Sequence, residues 1–212
     1  MRTFISPTVA FEYYYDKISK EGKMFQNTRA LFNQGFYISN PQWNVIKTKY
    51  RKFDIDYANA EWEWYESADP SVKFIEQKAK MWGNYADEYG NARSNYGWQW
   101  RRENQLDKII EMLKKDNDSR RAVISLYDGK EINTYAKDTP CTLNIQFQII
   151  ENKLCMTAIM RSNDLWFGFC NDQYCFSKLQ LLIANELQIH TGWYFHFASN
   201  LHVYFKQLNR NT

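Results

Sequence analysis

A cysteine directly after a proline is the side chain of this sequence best placed to act as a nucleophile. Cys141 follows Pro140 in the segment DTPCT, at the head of a stretch in which apolar and polar residues alternate. A turn before a strand can fix the direction of a side chain and still leave it accessible. Since a lone cysteine is more often a buried structural thiol, a nucleophile also needs a nearby group that stabilises its thiolate.

An arginine twenty residues after the cysteine could be that group. Apolar and polar residues alternate over residues 143–149 and again over 154–160, and the segment 151–153 between them indicates a tight turn joining two antiparallel strands. Pairing about this turn brings Arg161, which follows the second strand, within reach of Cys141. A neighbouring guanidinium lowers the pKa of a thiol, so the two residues together predict a covalent nucleophile.

Two segments combine arginines with a hydroxyl group, which is a donor set that grips a phosphate. They are Ser119-Arg120-Arg121 and Arg161-Ser162. A guanidinium fork binds a phosphate through paired, charge-assisted hydrogen bonds, and a serine hydroxyl adds a further donor. Each segment taken alone is more often a solvated surface pair, so the residues by themselves leave both interpretations open.

Two glutamates lie in the aromatic segment AEWEWYE. Glu61 and Glu63 are separated by Trp62 and followed by Trp64 and Tyr65. A carboxyl group among aromatic side chains is poorly solvated, which raises its pKa and suits it to proton transfer near neutral pH. A helix end with exposed carboxylates is the alternative interpretation.

Composition limits the classes of protein to which the chain can belong. With 212 residues, 17% aromatic residues and few glycines or prolines, the sequence predicts one packed domain over residues 1–212. The net charge of +3 is small, so composition predicts neither a nucleic-acid groove nor a membrane surface.

Four cysteines without a C-x-x-C pair, and no charged-then-apolar leader, indicate a reduced cytoplasm. Three histidines spaced six residues apart, with no thiol at ligand spacing, predict no metal site.

Hydrophobic periodicity predicts an α+β fold, with a mostly antiparallel or mixed sheet, a buried central helix and further helices packed on one face. Helices are expected over residues 70–82, 106–115 and 174–189, the last of which is apolar on most sides. Strands are expected over 121–127, 143–149, 154–160, 193–197 and 201–205. The segment 83–101 reads as an ordered loop that presents side chains, and the first sixty residues carry no clear pattern.

The order and spacing of four motifs are similar to those of the thymidylate synthase family. The sequence contains SRR, then PC, then RSND with Gly168 four residues beyond the aspartate, and finally HxY near the end. The resemblance covers about residues 58–204, and the intervals between the motifs match as well as the motifs themselves. It implies a thymidylate-synthase-like fold and an enzyme that adds a one-carbon unit to carbon 5 of a pyrimidine nucleoside monophosphate.

The resemblance implies a role at the nucleotide for each matched residue. Cys141 is the nucleophile, and Arg161 and Ser162 bind the phosphate while the guanidinium supports the thiolate. Arg120 and Arg121 reach the phosphate in the other subunit's site, which implies a symmetric homodimer. The remaining matches are Arg29 for the phosphate, Glu61 for proton relay, Tyr96 for positioning the thiol, and His202 and Tyr204 for the sugar 3′-hydroxyl.

The same resemblance implies that 5,10-methylenetetrahydrofolate is the co-substrate. In the implied mechanism Cys141 adds to carbon 6 of the base, and carbon 5 then captures the methylene group. A hydride from the folate gives a methyl product, whereas water admitted near Glu61 gives a hydroxymethyl product, and the sequence leaves this choice open. The positions that match folate contacts are Trp82, Tyr85, Asp164 and Gly168.

Two adjacent residues compete for the position that reads the base. Counting without gaps from Arg161 places Asp172 there, which resembles the deoxycytidylate hydroxymethylase branch, and one inserted gap would place Asn171 there instead. A carboxyl group can accept from the 4-amino group of cytosine and share a proton with nitrogen 3, whereas the asparagine is the family's residue for uracil. We therefore expect dCMP as the substrate, with dUMP as the alternative.

Three departures from the family pattern keep other interpretations open. Thr142 replaces the histidine that usually follows the nucleophile, Met160 replaces the glutamine before Arg161, and the chain stops eight residues after Tyr204. The alternatives are a thymidylate synthase or deoxyuridylate hydroxymethylase, a single-stranded nucleic-acid-binding module built on arginines and aromatic residues, and a catalytically inactive relative. The hydroxymethylase branch is typical of bacteriophages that modify their DNA, which implies the cytoplasm of an infected bacterial host.

Overall fold

Apolar and polar residues alternate along most of the strands, and these strands form one mixed sheet. The structure is a computed structural model that describes residues 1–130 and 138–208. The strands are β1 (Arg2–Phe4), β2 (Lys23–Phe25), β3 (Thr28–Ile38), β4 (Val123–Ser125), β5 (Thr142–Ile150), β6 (Lys153–Met160), β7 (Asn163–Asp164) and β8 (His190–Tyr204). Their order is β1-β3-β8-β6-β5-β4, with β2 beside β3 and β7 beside β8. The β1–β3, β6–β8 and β7–β8 pairs are parallel and the others antiparallel, as the predicted mixed sheet requires.

The β5–β6 hairpin forms where the sequence predicts it. Glu151 and Asn152 occupy its turn with φ angles of 50° and 57°, the left-handed values that a tight hairpin turn requires. The antiparallel pairing continues to the open end of the hairpin. Cys141 and Arg161 lie just beyond that end, so the hairpin brings two residues that are far apart in sequence to the same place.

A long helix that is buried on most sides lies across the sheet and confirms the predicted central helix. This helix, α6, begins at Gly168 rather than near residue 174, so Asn171 and Asp172 lie within its first five residues. The earlier start is what aims these two side chains at the open end of the hairpin. The helices are α1 (Pro7–Glu21), α2 (Ile55–Ser67), α3 (Trp82–Tyr85), α4 (Tyr96–Arg101), α5 (Gln105–Lys115), α6 (Gly168–Glu186) and α7 (Phe205–Leu208).

The two faces of the sheet differ in how far they are covered. Alternate residues of β6 and β8 are fully buried on the face that packs against α6 and α1. The opposite face, here called the open face, carries half-buried side chains that are neighbours across β3, β8 and β6. The apolar members of the open face are Tyr37, Ile159, Trp193, Phe195 and Phe197.

The predicted helix over residues 70–82 is wrong. Ser71 instead forms a β-bridge with Asn91, and the Val72 amide donates to the Gly90 carbonyl at 2.9 Å. Only a single 3-10 turn, Ile75–Gln77, and the short helix α3 interrupt the irregular chain. Backbone hydrogen bonds to a distant segment have overridden the modest local preference for a helix.

Three other predictions differ from the structure at their boundaries. The two short strands predicted near the end of the chain are one strand, β8, because it pairs with β3 from Thr28–Tyr204 to Ile38–Tyr194. The strand expected over residues 121–127 is limited to the three residues of β4, and the segment 83–101 contains α4. The helix expected over 106–115 is confirmed as α5.

His196 lies in the core between the sheet and α6 and is fully buried. Its Nδ1 is 2.6 Å from the hydroxyl of Tyr194, and the rings of Phe36 and Phe169 pack against it at 5.2 and 5.1 Å. Burial lowers the pKa of His196 to about 3, because the charged imidazolium would lose its hydration there. The folded protein therefore holds this histidine neutral.

Acid is expected to destabilise the fold through His196. The unfolded chain protonates this histidine below its ordinary pKa of about 6.5 while the folded chain does not, so stability is lost progressively as pH falls from about 6.5 toward 3. At pH 5 the loss relative to pH 7.5 is about 2 kcal/mol. Urea unfolding at pH 7.5 and pH 5 should show that the free energy of unfolding falls less in His196→Gln than in the parent. An equal fall in both proteins would contradict this assignment.

None of the helices in the described ranges combines the length and the apolar character that crossing a bilayer requires. Within the same residues, no three histidine, cysteine, aspartate or glutamate side chains meet in an arrangement that could hold a metal ion. Cys141, Cys155, Cys170 and Cys175 all carry free thiols.

Candidate active site

A cavity of about 830 Å³ opens where the end of the β5–β6 hairpin meets the first turn of α6 and the helices α2, α3 and α4. This volume suits a ligand of nucleotide or cofactor size. Motifs that are far apart in sequence converge on its walls. The predicted site residues that line it are Glu61, Trp82, Tyr85, Tyr96, Cys141, Arg161, Ser162, Asp164, Gly168, Asn171, Asp172 and Tyr204.

Arg161 is fixed against Cys141 by several contacts. Its Nη2 lies 3.7 Å from the Cys141 Sγ and also donates to the Thr139 carbonyl at 2.8 Å. Its Nε donates to the Pro140 carbonyl at 3.0 Å, and its backbone amide donates to the Cys141 carbonyl at 2.9 Å. The predicted contact between guanidinium and thiol is therefore confirmed, and the guanidinium also holds the turn that carries the thiol.

The thiol itself is protonated at neutral pH in this arrangement. Burial raises the pKa of Cys141 to about 11, Arg161 opposes the rise, and the carboxyl groups of Asp172 and Asp138 add to it. The sequence predicts a lowered pKa from the guanidinium alone, and the difference comes from desolvation and neighbouring carboxyl groups, which outweigh one cation. The cysteine must therefore lose its proton when a substrate binds or as it attacks.

Tyr96 lies behind the nucleophile at the start of α4. Its hydroxyl accepts a hydrogen bond from the Thr142 amide at 3.4 Å, and its ring packs 5.6 Å from the ring of Tyr65. Burial raises the pKa of Tyr96 well above its ordinary value, so the phenol stays neutral. This contact holds the strand residue that directly follows Cys141, in agreement with the positioning role that the resemblance implies.

Glu61 projects from α2 into the cavity and ends a chain of hydrogen bonds. The Trp82 Nε1 donates to the Tyr57 hydroxyl at 2.9 Å, and this hydroxyl donates to Glu61 Oε1 at 2.9 Å. Burial raises the pKa of Glu61 to about 7, while the hydrogen bond from Tyr57 acts to lower it. Glu61 is 5% exposed and, among the described residues, its Oε2 has no hydrogen-bond partner. A carboxyl group that titrates near neutrality can both give and take a proton.

Asp172 is the fifth residue of α6 and faces the same cavity as Glu61. Its Oδ2 accepts a hydrogen bond from Asn163 Nδ2 at 2.7 Å. Protein surrounds this carboxyl group apart from its face toward the cavity, and burial followed by the nearby Glu61 raises its pKa well above the ordinary value. The environment therefore favours the protonated form of Asp172, which can donate one hydrogen bond and accept others.

Asn171, the competing base reader, also lines the cavity. It precedes Asp172 on the same turn of α6, and its backbone amide donates to the Phe167 carbonyl at 3.2 Å. Both candidates thus reach the ligand space, and position alone does not choose between them. What distinguishes Asp172 is its partly buried hydrogen bond to a second cavity residue, Asn163.

The mouth of the cavity is apolar and aromatic. Met81, Tyr85 and Phe167 are partly exposed there, and Phe167 is 47% exposed. Asp164 accepts hydrogen bonds from the Trp166 and Phe167 amides at 2.9 and 3.3 Å, which fixes the loop that leads into α6. Flat, exposed side chains above a polar floor fit a ring system such as a pterin, so these residues are compatible with folate.

Four residues that the resemblance assigns to the site lie outside the cavity lining. Arg29, on β3, donates to the Ser19 carbonyl at 2.7 Å. Arg120 and Arg121 are exposed just before the edge strand β4. His202 has its Nδ1 3.0 Å from Asn200 Oδ1 and packs 5.4 Å from the ring of Tyr204.

Several cavity residues are not identified from the sequence. Arg51 donates to the Trp166 carbonyl and lies 5.3 Å from the ring of Phe167, which places a cation near the mouth. Asp138 accepts from the Ser94 amide at 2.6 Å and anchors the segment before the nucleophile. Tyr57, Asn163, Lys78 and Lys206 also line the cavity. Only Tyr57 had a usable signal, because it precedes Glu61 by one helical turn.

Comparison with known proteins identifies a family for the chain. Residues 16–211 match the sequence model of a family described as thymidylate synthase. The chain is 33% identical over 153 residues to a deoxyuridylate hydroxymethyltransferase of Pseudomonas phage M6, covering 69% of this chain and 44% of that protein. It is 31% identical over 187 residues to a deoxyuridylate hydroxymethyltransferase of Delftia phage PhiW-14, covering 82% of this chain and 52% of that protein.

A cellular enzyme is similar as well. The chain is 27% identical over 150 residues to a thymidylate synthase of Buchnera aphidicola, covering 66% of this chain and 56% of that protein. The matched region is thus about half the length of each of these relatives.

Proposed function

Because this chain belongs to the thymidylate synthase family, we propose that it transfers a one-carbon unit from 5,10-methylenetetrahydrofolate to carbon 5 of dCMP, with addition of water, giving 5-hydroxymethyl-dCMP. The observation that carries this proposal is Asp172, a half-buried carboxyl group that accepts from Asn163 and faces a cavity that also holds Cys141 against Arg161. The expected location is the cytoplasm, of an infected bacterial host if the chain is phage-encoded.

The phosphate of the nucleotide is proposed to bind at Arg161 and Ser162. Both residues line the cavity, and the guanidinium is already held beside the thiol. A phosphate bound there places the sugar and base along the cavity toward Asp172, with Tyr204 beside the sugar. His202 lies outside the cavity lining with its ring packed edge-on against that of Tyr204, and its contact with the 3′-hydroxyl is proposed from the resemblance.

The exposed positions of Arg120 and Arg121 support the proposed homodimer. Neither side chain lines its own cavity, and both precede the edge strand β4, from which they can reach a second copy. The open face offers an apolar surface for such contact, because its aromatic side chains are only half buried in the single chain. A symmetric dimer through this face would place two arginines of each subunit near the other's phosphate.

Cytosine is the proposed base because of the hydrogen bonds that a neutral Asp172 offers. Its hydroxyl can donate to nitrogen 3 of cytosine, and its other oxygen can accept from the 4-amino group. The second candidate is dUMP, which Asn171 in the lining and the deoxyuridylate hydroxymethyltransferases of the two phages favour.

The remaining residues are proposed to attack the base and to handle protons and water. The Cys141 sulfur forms a bond to carbon 6 as its proton passes to solvent, and the electron pair of the 5,6 double bond forms a bond from carbon 5 to the methylene group that the folate supplies. Loss of the proton from carbon 5 and departure of tetrahydrofolate then leave an exocyclic double bond. Glu61 holds a water molecule at Oε2 and removes its proton, so that the oxygen bonds to the exocyclic carbon while the displaced electron pair restores the 5,6 double bond and releases the Cys141 sulfur.

The Tyr57 hydroxyl is expected to set the pH at which Glu61 acts. Since its hydrogen bond lowers the pKa of Glu61, Tyr57→Phe should move the pH profile of kcat upward by roughly half to one unit, the effect of about one hydrogen bond. Tyr174→Phe is the matched control, because that hydroxyl donates to Asn59 Oδ1 at 2.6 Å outside the cavity. A profile that does not move in Tyr57→Phe, or moves equally in both variants, would contradict the role.

A fluorinated nucleotide tests the proposed function. Fluorine at carbon 5 blocks the later loss of a proton, so the enzyme should stop as a covalent complex of protein, nucleotide and folate. Mass spectrometry after incubation with methylenetetrahydrofolate should show this adduct with 5-fluoro-dCMP, mapped to the peptide containing Cys141. An adduct with 5-fluoro-dUMP alone would replace cytosine with uracil, and no adduct with either nucleotide would overturn the enzymatic proposal.

A further inference from the structure

We infer that Asn163 is a second base-selecting residue, whose side-chain carbonyl oxygen accepts a hydrogen bond from the 4-amino group of cytosine. The inference rests on the proposed function, because it assigns a specificity role within the same site. It concerns a residue that none of the motifs in the sequence singles out for base recognition.

The geometry of Asn163 carries the inference. The residue lies on β7, is 2% exposed and lines the cavity. Its Nδ2 donates to Asp172 Oδ2 at 2.7 Å, while its Oδ1 is buried and has no hydrogen-bond partner within residues 1–130 and 138–208. A buried oxygen without a hydrogen-bond donor raises the free energy of the protein without ligand, and a ligand that donates to this oxygen removes that penalty.

Within the part of the chain that the structure describes, other buried amides also lack a partner for their oxygen, but their positions differ. Gln173 and Gln180 lie on α6 in the core and do not line the cavity. Gln207 does line it, from α7. Asn163 is distinguished by its direct hydrogen bond to Asp172, the proposed base reader.

Asp172 alone discriminates poorly between the two bases. A neutral carboxyl group can match cytosine, and by moving its proton to the other oxygen it can match uracil as well. The Asn163 amide donates to Oδ2 and keeps that oxygen an acceptor, which leaves the proton on Oδ1. The Asn163 carbonyl then accepts from the amino group of cytosine, whereas the oxygen at position 4 of uracil would face a second acceptor without a hydrogen between them.

Gly168 leaves room for this pair. A Cβ built on Gly168 would lie 3.1 Å from Asn163 Nδ2 and 3.5 Å from Asp172 Oδ2. The first distance is tighter than an ordinary carbon–nitrogen contact, so a side chain here would push against the amide. The glycine matched to folate binding therefore also allows Asn163 to approach Asp172.

The test compares kcat/KM for dCMP and dUMP in the full chain and in Asn163→Leu and Asn163→Ala. Leucine is close in shape to asparagine and removes both hydrogen-bonding groups, so the preference for dCMP over dUMP should fall about tenfold to a hundredfold. Alanine should lose less of the preference, because water can enter the space and accept from the amino group. If the leucine variant does not fold, the alanine variant still allows the two kcat/KM values to be compared.

Gln180→Met is the matched control, because it removes a buried amide with an unpaired oxygen that lies away from the cavity. It is expected to lower stability without changing the ratio of the two kcat/KM values. An unchanged ratio in both Asn163 variants, with the parent still preferring dCMP, would overturn the inference and leave the proposed function standing. A parent that acts on dUMP alone would overturn the proposed substrate and this inference together.

Discussion

Replacing Cys141 with serine is expected to lower kcat by roughly 10⁴-fold or more, because the hydroxyl is a far weaker nucleophile than the thiol. The change removes one sulfur atom and leaves Arg161, Asp172 and Glu61 in place, so nucleotide binding should persist. Steady-state rates with dCMP and methylenetetrahydrofolate, together with the thermal shift that the nucleotide produces, measure the two effects separately.

Cys155→Ser provides the matched control for that result. Cys155 is a buried thiol on β6 that does not line the cavity, so the same exchange of sulfur for oxygen should affect stability more than rate. A Cys141→Ser enzyme that retains a rate within tenfold of the parent would remove Cys141 from the mechanism and leave the cavity without its proposed nucleophile.

Asp172→Asn is expected to reverse the choice of base. The turned amide can donate to the oxygen at position 4 of uracil and accept from the hydrogen on nitrogen 3, but it cannot share a proton with nitrogen 3 of cytosine as the carboxyl group can. The ratio of kcat/KM for dCMP to that for dUMP should fall by roughly 10³-fold, since a site built around hydrogen bonds rejects a mismatched group strongly. Competition between the two nucleotides in one reaction measures this ratio directly.

Asp164→Asn is the comparison that separates base reading from a general loss of buried carboxyl groups. Asp164 also lines the cavity and has a raised pKa through burial, but it accepts from backbone amides that lead into α6. We expect this variant to affect both nucleotides by the same factor. If Asp172→Asn likewise lowers both rates equally, Asn171 becomes the residue that reads the base.

The parts of the fold predicted correctly are those that depend on local pattern. The alternation on both sides of residues 151–153 and the apolar surface of α6 are properties of short segments, and both are confirmed. The predicted helix over 70–82 is wrong because Ser71 bridges to Asn91, and β8 is longer than predicted because it pairs with β3. These contacts join distant segments, so no local window could show them.

In the candidate site, too, the features predicted correctly depend on local pattern, and the others depend on contacts between distant segments. Cys141 and Arg161 are brought together by one hairpin, and the sequence therefore predicts their contact. The pairing of Asn163 with Asp172 depends on where α6 begins, and the raised pKa of Cys141 depends first on burial and then on nearby carboxyl groups such as that of Asp172. Motif spacing identified most residues of the site, but their hydrogen bonds and protonation states required the folded arrangement.

Release of tritium from carbon 5 tests the central claim most directly. Labelled dCMP and, separately, labelled dUMP are incubated with the chain and methylenetetrahydrofolate, and the product is identified by mass. We predict release from dCMP with formation of 5-hydroxymethyl-dCMP, and loss of that release in Cys141→Ser. Release from dUMP alone would contradict the assignment of cytosine, a methyl product would contradict the addition of water, and no release from either nucleotide would contradict the enzymatic account.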